Sequence, residues 1–333
     1  MPLLLVLDGN SLLHRAYHAA ASEGQLAADG SPIWALRGLV GYLARAAAHL
    51  HPDAVMVGFD CPDSSFRKSL FPGYKAHRPD KPGDLTAQLA AAVPLLTEAG
   101  VCTVVPPACE ADDVLASASA AARREGWQSV LMTSDRDAFA LIDDMTSVLR
   151  VRNGGFDEAV LIDAAGLPAL YGVTAAQYRD FAALRGDPSD NLPGVRRFGS
   201  TTARKLLAAF GTVEAAWAAT RDELRTAVGE LAATHFTADG ARETVDRNRT
   251  LMAMRGDLAL PALAAARLPL SYAVMRRALR ARDINLGPSL WALVDGSPPA
   301  GTAPDESPEL RPWVFRRGLT GRRDPTPGQL SLF

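Results

Sequence analysis

Nine carboxylates stand at or just beyond the ends of apolar runs, or where a helix should start: Asp8, Asp60, Glu110, Asp112, Asp113, Asp135, Asp137, Asp187 and Asp190. Like charges gathered in one place raise one another's pKa values or require cations. Hard oxygen donors in that number suit Mg²⁺ or Mn²⁺ rather than zinc. Two such ions, about 3.5–4 Å apart, activate a water and stabilise the leaving oxygen of a phosphodiester. The chemistry implied is metal-dependent phosphodiester hydrolysis. A single one of these acids would read as a helix cap, since Asp112 or Asp113 at a helix start favours the dipole with no ligand at all. Nine at matching positions favour the metal reading.

Spacing refines this. In Glu110-Ala-Asp-Asp113, residues i and i+3 of an ideal helix share a face, whereas Asp112 and Asp113 diverge by about 100°. The trio brackets ions only if Glu110 lies at or before the first turn. Asp135 and Asp137 follow an apolar run, where alternate residues face one crevice. Asp187 and Asp190 lie in Gly-Asp-Pro-Ser-Asp-Asn, a stretch of turn-forming residues.

The elements that must position these acids alternate. Leu3–Leu7 and Ala54–Phe59 predict buried strands ending at Asp8 and Asp60, with a helix over Ile33–Leu50 between them. Val101–Val105 and Val130–Thr133 predict two more strands, separated by a helix over Glu110–Glu125. The order implies an α/β fold with a mostly parallel sheet covered by helices, whose functional crevice lies at the carboxyl ends of the strands. Val148–Val151 and Ala159–Ile162 flank Asn153-Gly154-Gly155, a hairpin or sheet-edge turn. The expected division is a core over 1–173 with an arch at about 66–100, a helical part over 174–296, and a flexible Pro- and Arg-rich tail over 297–333.

The chain has 333 residues, 48% hydrophobic and 22% charged, as expected of a soluble protein. No stretch reads as a signal peptide or a membrane span. Cys61, Cys102 and Cys109 have neither metal nor disulfide spacing, which fits a reduced cytoplasmic setting. The formal net charge of −2 argues weakly against a nucleic-acid binder, but the nine carboxylates account for −9, leaving the rest of the chain at +7. Metal-bound, such a chain presents a mildly basic surface.

Basic residues cluster twice. Phe66–Lys81 carries Arg67, Lys68, Lys75, Arg78 and Lys81 against Asp80 alone, interleaved with Phe66, Phe71 and Tyr74. Cations neutralise phosphate and aromatic rings stack on unpaired bases, although a solvated basic loop is the common alternative. Leu192–Phe210 reads as a Gly-containing hairpin between two short helices, whose backbone N–H groups bind phosphate without reading sequence.

Leu7-Asp8-Gly-Asn-Ser-Leu-Leu-His-Arg-Ala-Tyr-His18, Glu110-Ala-Asp-Asp113, Thr133-Ser-Asp-Arg-Asp137 and Gly186-Asp-Pro-Ser-Asp-Asn-Leu-Pro-Gly194 together resemble the bacterial 5′ nuclease (flap endonuclease) family, which includes the N-terminal exonuclease domain of DNA polymerase I. The resemblance spans about residues 2–290. It implies a PIN-like core with a helical arch and a helix-hairpin-helix subdomain. The implied activity is Mg²⁺- or Mn²⁺-dependent 5′–3′ exonuclease and flap cleavage of DNA and RNA-primed DNA, in Okazaki fragment processing and repair, by a monomer with no attached polymerase. All nine carboxylates match the family's two-metal site. By the same likeness Lys75 and Arg78 contact the scissile phosphate beside Asp135 and Asp137, and Tyr74 stacks on the base next to the cut. Arg15 and Arg67 add cations, and Arg196, Arg197, Gly199, Arg204 and Lys205 anchor the duplex. The family often holds K⁺ at this hairpin, but Arg197 and Thr201 stand where Gly and Lys are common.

Gln329-Leu-Ser-Leu-Phe333 looks like the pentapeptide by which bacterial replication and repair proteins dock on the sliding clamp. Leu330, Leu332 and Phe333 offer apolar anchors and Gln329 an amide. Two readings compete with a nuclease. One is a catalytically silent nucleic-acid binder, against which the intact acid set argues. The other is an aspartyl-phosphate enzyme, which needs an Asp two residues after its nucleophile, where Asn10 follows Asp8.

Overall fold

A computed structural model describes residues 1–20, 24–152 and 155–296. The tail over 297–333, with its clamp-like pentapeptide, and Asn153-Gly154 of the expected turn lie outside the described residues. Along the chain run β1 (Leu3–Asp8), α1 (Gly9–Ala20), α2 (Trp34–Leu50), β2 (Ala54–Gly58), α3 (Phe66–Leu70), α4 (Gly83–Glu98), β3 (Cys102–Val104), α5 (Ala111–Arg124), β4 (Gln128–Thr133), β5 (Thr146–Arg152) and β6 (Gly155–Ile162). There follow α6 (Gly166–Tyr171), α7 (Ala175–Arg185), the two-residue strands β7 (Gly186–Asp187) and β8 (Leu192–Pro193), α8 (Ser200–Phe210), α9 (Val213–Ala218), α10 (Arg221–Val228), α11 (Glu230–Phe236), α12 (Ala241–Leu251) and α13 (Tyr272–Arg280).

The chain folds into two compact units that interleave in sequence. The first takes 1–64, 80–161 and the described residues from 254; the second takes 65–79 and 162–253. This differs from the contiguous division expected. The segment 66–100, read as one arch, is split: 65–79 belongs to the second unit, while α4 buries Leu85, Ala92, Leu95 and Leu96 in the first. Because residues 254–296 return to the first unit, the second is an insertion.

In the first unit the sheet order is β3-β2-β1-β4-β5-β6, with β3 to β5 parallel. β1 and β2 are apolar almost throughout because helices cover both faces of a parallel sheet. Chain order reverses between β1 and β4, which opens a crevice at their carboxyl ends. Asp8 closes β1, and Thr133-Ser134-Asp135 leaves β4. Close packing keeps this end narrow: a Cβ on Gly58 would lie 2.7 Å from the Val114 side chain of α5. Among the described residues no helix is long and apolar enough to cross a membrane.

The second unit is helical around a tight β7–β8 pairing, Gly186 opposite Pro193 and Asp187 opposite Leu192. Only α8 of the two helices expected within 192–210 lies there; its partner, α7, ends at Arg185, before the hairpin. Buried Asn248 holds the turn from α12, donating to Ala183 O (3.0 Å) and Pro193 O (2.9 Å). Gly186 sits at φ +74°, and a Cβ on Gly194 would lie 2.2 Å from the Arg185 backbone. No side-chain rotation relieves a clash of that kind. Gly194→Ala is expected to lower stability by about 2 kcal/mol or more, read as a drop in denaturation midpoint, with unchanged stability as the contrary result.

Candidate metal-binding site

At the β1–β4 crevice Asp8, Asp60 and Asp135 are held by hydrogen bonds from neighbouring residues, from the end of β4 and from the starts of α1 and α5. Asp8 Oδ1 accepts the Ser11 N–H (2.9 Å), and Oδ2 accepts the Thr133 hydroxyl (2.8 Å). Ser11 and Ser134 join their hydroxyls at 2.5 Å, tying α1 to the end of β4. Asp60 Oδ1 accepts from Ala111 N–H at the start of α5 (2.9 Å), and Oδ2 from the Asn10 amide (3.0 Å). Asn10 Oδ1 in return accepts the Asp60 N–H (3.0 Å). Asp135 Oδ1 accepts the Asp137 N–H (2.9 Å), which opens a 3-10 turn over Asp137–Leu141.

Glu110 meets the spacing condition by being the N-cap of α5, in extended backbone ahead of the first turn. Its side chain accepts the N–H of Asp113. Asp113 completes the capping box: Oδ2 accepts the Glu110 N–H and Oδ1 the Arg255 N–H, both at 2.9 Å. Asp113 is fully buried, so its carboxylate is a helix cap and a chain anchor. Asp112 and Asp137 are half-buried and Asp135 is exposed.

Burial pushes the Asp8 carboxyl up to about 7, and the charges of Asp60 and Asp135 push the same way, against the Ser11 and Thr133 hydrogen bonds. Asp8 therefore feels both Asp60 and Asp135 at the topological switch point. Among the described residues, no three His, Cys, Asp or Glu side chains are gathered tightly enough to hold one ion directly. The oxygen-only donors and mutual repulsion fit a divalent ion that keeps much of its water and binds through one or two carboxylates, the habit of Mg²⁺.

In the second unit Asp187 Oδ1 accepts from Ser189 N–H and Oγ, both at 2.8 Å. Asp190 pairs with Arg78 (2.5 Å), its carbonyl accepts the Lys75 N–H (3.0 Å), and Asn191 donates to Gly73 O (2.8 Å). The basic segment 65–79 is thus laced to the acid-bearing turn. Two residues expected on nucleic acid are placed otherwise. Arg67 is buried, donating to Leu251 O (2.8 Å) and Ala253 O (2.9 Å) and stacking on Phe66. Tyr74 is buried too, with the Lys75 ammonium 4.8 Å from its ring centroid. Arg15 is half-buried on α1 of the first unit. Arg196, Arg197, Gly199 and Lys205 are exposed before and along α8, and Arg204 Nε donates to Ser200 O (3.2 Å). Arg197 keeps the left-handed backbone (φ +70°) that Gly adopts more readily.

Sequence reasoning passed over Asn10, Ser11, Thr133 and Ser134 as site residues. Their signal was proximity: each lies within three residues of an acid in the motifs Asp8-Gly-Asn-Ser11 and Thr133-Ser-Asp135.

The sheet carries acids at its switch point, and the helical unit is inserted in its sequence. Residues 3–171 match the family described as "5′-3′ exonuclease, N-terminal resolvase-like domain", and residues 173–271 match "5′-3′ exonuclease, C-terminal SAM fold". The chain belongs to the 5′–3′ exonuclease family. Among curated relatives, thermostable DNA polymerase I of Thermus aquaticus is 38% identical over 70% of this chain and 27% of its own length. DNA polymerase I of Mycobacterium leprae is 34% identical over 78% of this chain and 28% of its own. The chain spans about a quarter of the length of these relatives. Among solved structures, the T5 D15 protein co-crystallised with metal ions has a TM-score of 0.59 at 19% identity, covering 84% of this chain and 97% of that one. The catalytic core of Rad2 in complex with a DNA substrate scores 0.53 at 13% identity, covering 85% and 87%. At such identities these structures speak for the fold.

The charge at Asp8 gives a measurable signature. Unfolded, this carboxyl titrates near its ordinary 3.8; folded and metal-free, near 7. Between those values the folded chain binds the extra proton, so this contribution is full below pH 3.8 and is lost as pH rises through 7. The metal-free denaturation midpoint is expected to fall from pH 5 to 8, and Asp8→Asn to remove that slope, worth on the order of a few kcal/mol. A variant with the same slope would refute the assignment.

Proposed function

We propose that this protein hydrolyses phosphodiesters near a free 5′ end, as a structure-selective 5′–3′ exonuclease and flap endonuclease acting on DNA and RNA-primed DNA in Okazaki fragment processing and repair. The observation that carries the reading is the placement of buried Asp8 at the switch point of a parallel sheet, where burial first and the charges of Asp60 and Asp135 second oppose its ionisation. Family membership supports it.

Two Mg²⁺ or Mn²⁺ ions at these acids would polarise the scissile phosphate and lower the pKa of an attacking water. Asp8, Asp60, Glu110, Asp112, Asp135 and Asp137 are the proposed holders in the first unit. Ser11, Thr133 and Asn10 aim two of these carboxylates through the hydrogen bonds described above. Asp187 and Asp190 keep the ligand role that the resemblance implied; the proposal rests on the first unit's acids alone. Lys75 and Arg78 would stabilise charge on the phosphate, which requires Arg78 to exchange Asp190 for it. Arg196, Arg197, Gly199, Arg204 and Lys205 would hold duplex phosphates, with K⁺ at the altered hairpin as the family's habit.

The test is cleavage of a 5′-labelled flap duplex with Mg²⁺ and with a chelator. Cleavage is expected only with metal. Asp135→Ala should reduce it about 10²-fold or more while leaving flap binding in place. Binding without cleavage at every metal concentration would sink the nuclease reading in favour of a silent binder.

The pentapeptide Gln329–Phe333 is proposed to dock on a bacterial sliding clamp through Leu330, Leu332 and Phe333, with Gln329 supplying hydrogen bonds. Tethering of this kind raises local concentration without new contacts at the site. Removing these five residues should preserve basal cutting and erase clamp capture in a pull-down; capture that persists would refute the motif.

A further inference from the structure

The helix α13, in the first unit, buries Met275, Ala278 and Leu279 and exposes Arg276, Arg277 and Arg280. Its sequence, Tyr-Ala-Val-Met-Arg-Arg-Ala-Leu-Arg, contains no acid. Like charges at i and i+4, as in Arg276 and Arg280, repel on a helix surface. Among the described residues none of the three has an ion-pair partner. Neighbouring acids are engaged elsewhere: Glu98 takes both terminal nitrogens of Arg282 (2.7 and 3.1 Å), and Asp283 accepts the Ala28 N–H (2.7 Å). Arg276 and Arg280 border a cleft of about 230 Å³, with Arg277 beside them on the helix. Leu279, Ile284, Leu286 and Leu290 contribute apolar walls, and Tyr272, Arg276, Arg280 and Asn285 complete the lining. Tyr272 is 47% exposed, a large aromatic left in water, with the Arg276 guanidinium 5.8 Å from its ring centroid.

A solvated basic helix face would explain the arginines but not an apolar cleft with an open aromatic ring beside them. Cationic rim, stackable ring and apolar floor are the combination that takes a nucleotide out of water, phosphate on the cations and base on the ring. We propose that this face of the first unit is a second strand-binding site for nucleic acid. Phosphodiester oxygens bind Arg276, Arg277 and Arg280, and an unpaired base stacks on Tyr272 over the cleft. No residue of the proposed metal site takes part. The choice of nucleic acid over an acidic peptide rests on the nuclease reading.

The experiment measures binding of a labelled single-stranded oligodeoxynucleotide by the full chain in EDTA, over a series of salt concentrations. The pair Arg276→Ala/Arg280→Ala is exposed, so folding is checked simply by circular dichroism. Its log-affinity against log-salt slope is expected to fall by about 0.7 per arginine removed. Tyr272→Ala should weaken the ordinary oligonucleotide by about five-fold or more and an abasic one of equal length much less. An unchanged slope, equal losses on ordinary and abasic strands, or tighter binding of a polyglutamate peptide than of the oligonucleotide would each overturn the proposal. Flap cleavage by the unaltered protein with Mg²⁺ runs alongside. Cutting with a variant-insensitive slope fails this site alone; binding through these arginines without cutting fails the nuclease reading and leaves the site.

Discussion

Burial of a carboxylate at the end of a central strand, with other carboxylates beside it, is the constraint on which the rest of the first unit depends. β1 is the middle of a parallel sheet, so the residue that ends it is buried whatever its charge. Placing Asp8 there, with Asp60 and Asp135 near, concentrates negative charge where water cannot screen it well. The protein tolerates this by holding each carboxylate with backbone N–H groups and short hydroxyl side chains. These donors compensate part of the charge and fix the direction of the remaining lone pairs. The acids are thereby oriented while Asp8 stays close to protonation, a condition that a hydrated divalent cation would reverse by favouring the charged form.

Much of the first unit was legible in the sequence because buried parallel strands are written as short apolar runs. Leu3–Leu7, Ala54–Phe59 and Val130–Thr133 each begin or end within two residues of the observed strand. The position of Glu110 was legible only as a condition, met because an extended N-cap precedes α5. Composition could not tell where long side chains point. Arg67 and Tyr74 sit in a segment whose charge and aromatic content suggest nucleic acid, yet both are buried: Arg67 satisfies the carbonyls of Leu251 and Ala253 from 184 and 186 residues away. Contacts at that sequence separation have no local signature.

The same limit hid the division of the chain. A linear reading assigns contiguous blocks, whereas residues 65–79 group with 162–253 and residues from 254 rejoin the first unit. Asp113 illustrates the consequence for function. By spacing it belongs with Glu110 as a ligand candidate; in the fold, its oxygens accept the N–H groups of Glu110 and of Arg255, a residue that arrives 142 positions later. The helix cap, visible at the sequence level, accounts for the first of these contacts.

That long return has a bearing on the birth of the molecule. The cap of α5 lacks its Arg255 donor, and Ser117 lacks the Arg255 carbonyl and the Leu258 amide, until the ribosome has made the whole inserted helical unit. Strands β1 to β5 can pair early, but the helix that carries Asp112 and Asp113 behind its Glu110 cap is locked only after residue 258 emerges. A nascent chain would thus carry its reactive corner unfinished until the insert had been translated, a built-in delay between sheet assembly and completion of the site.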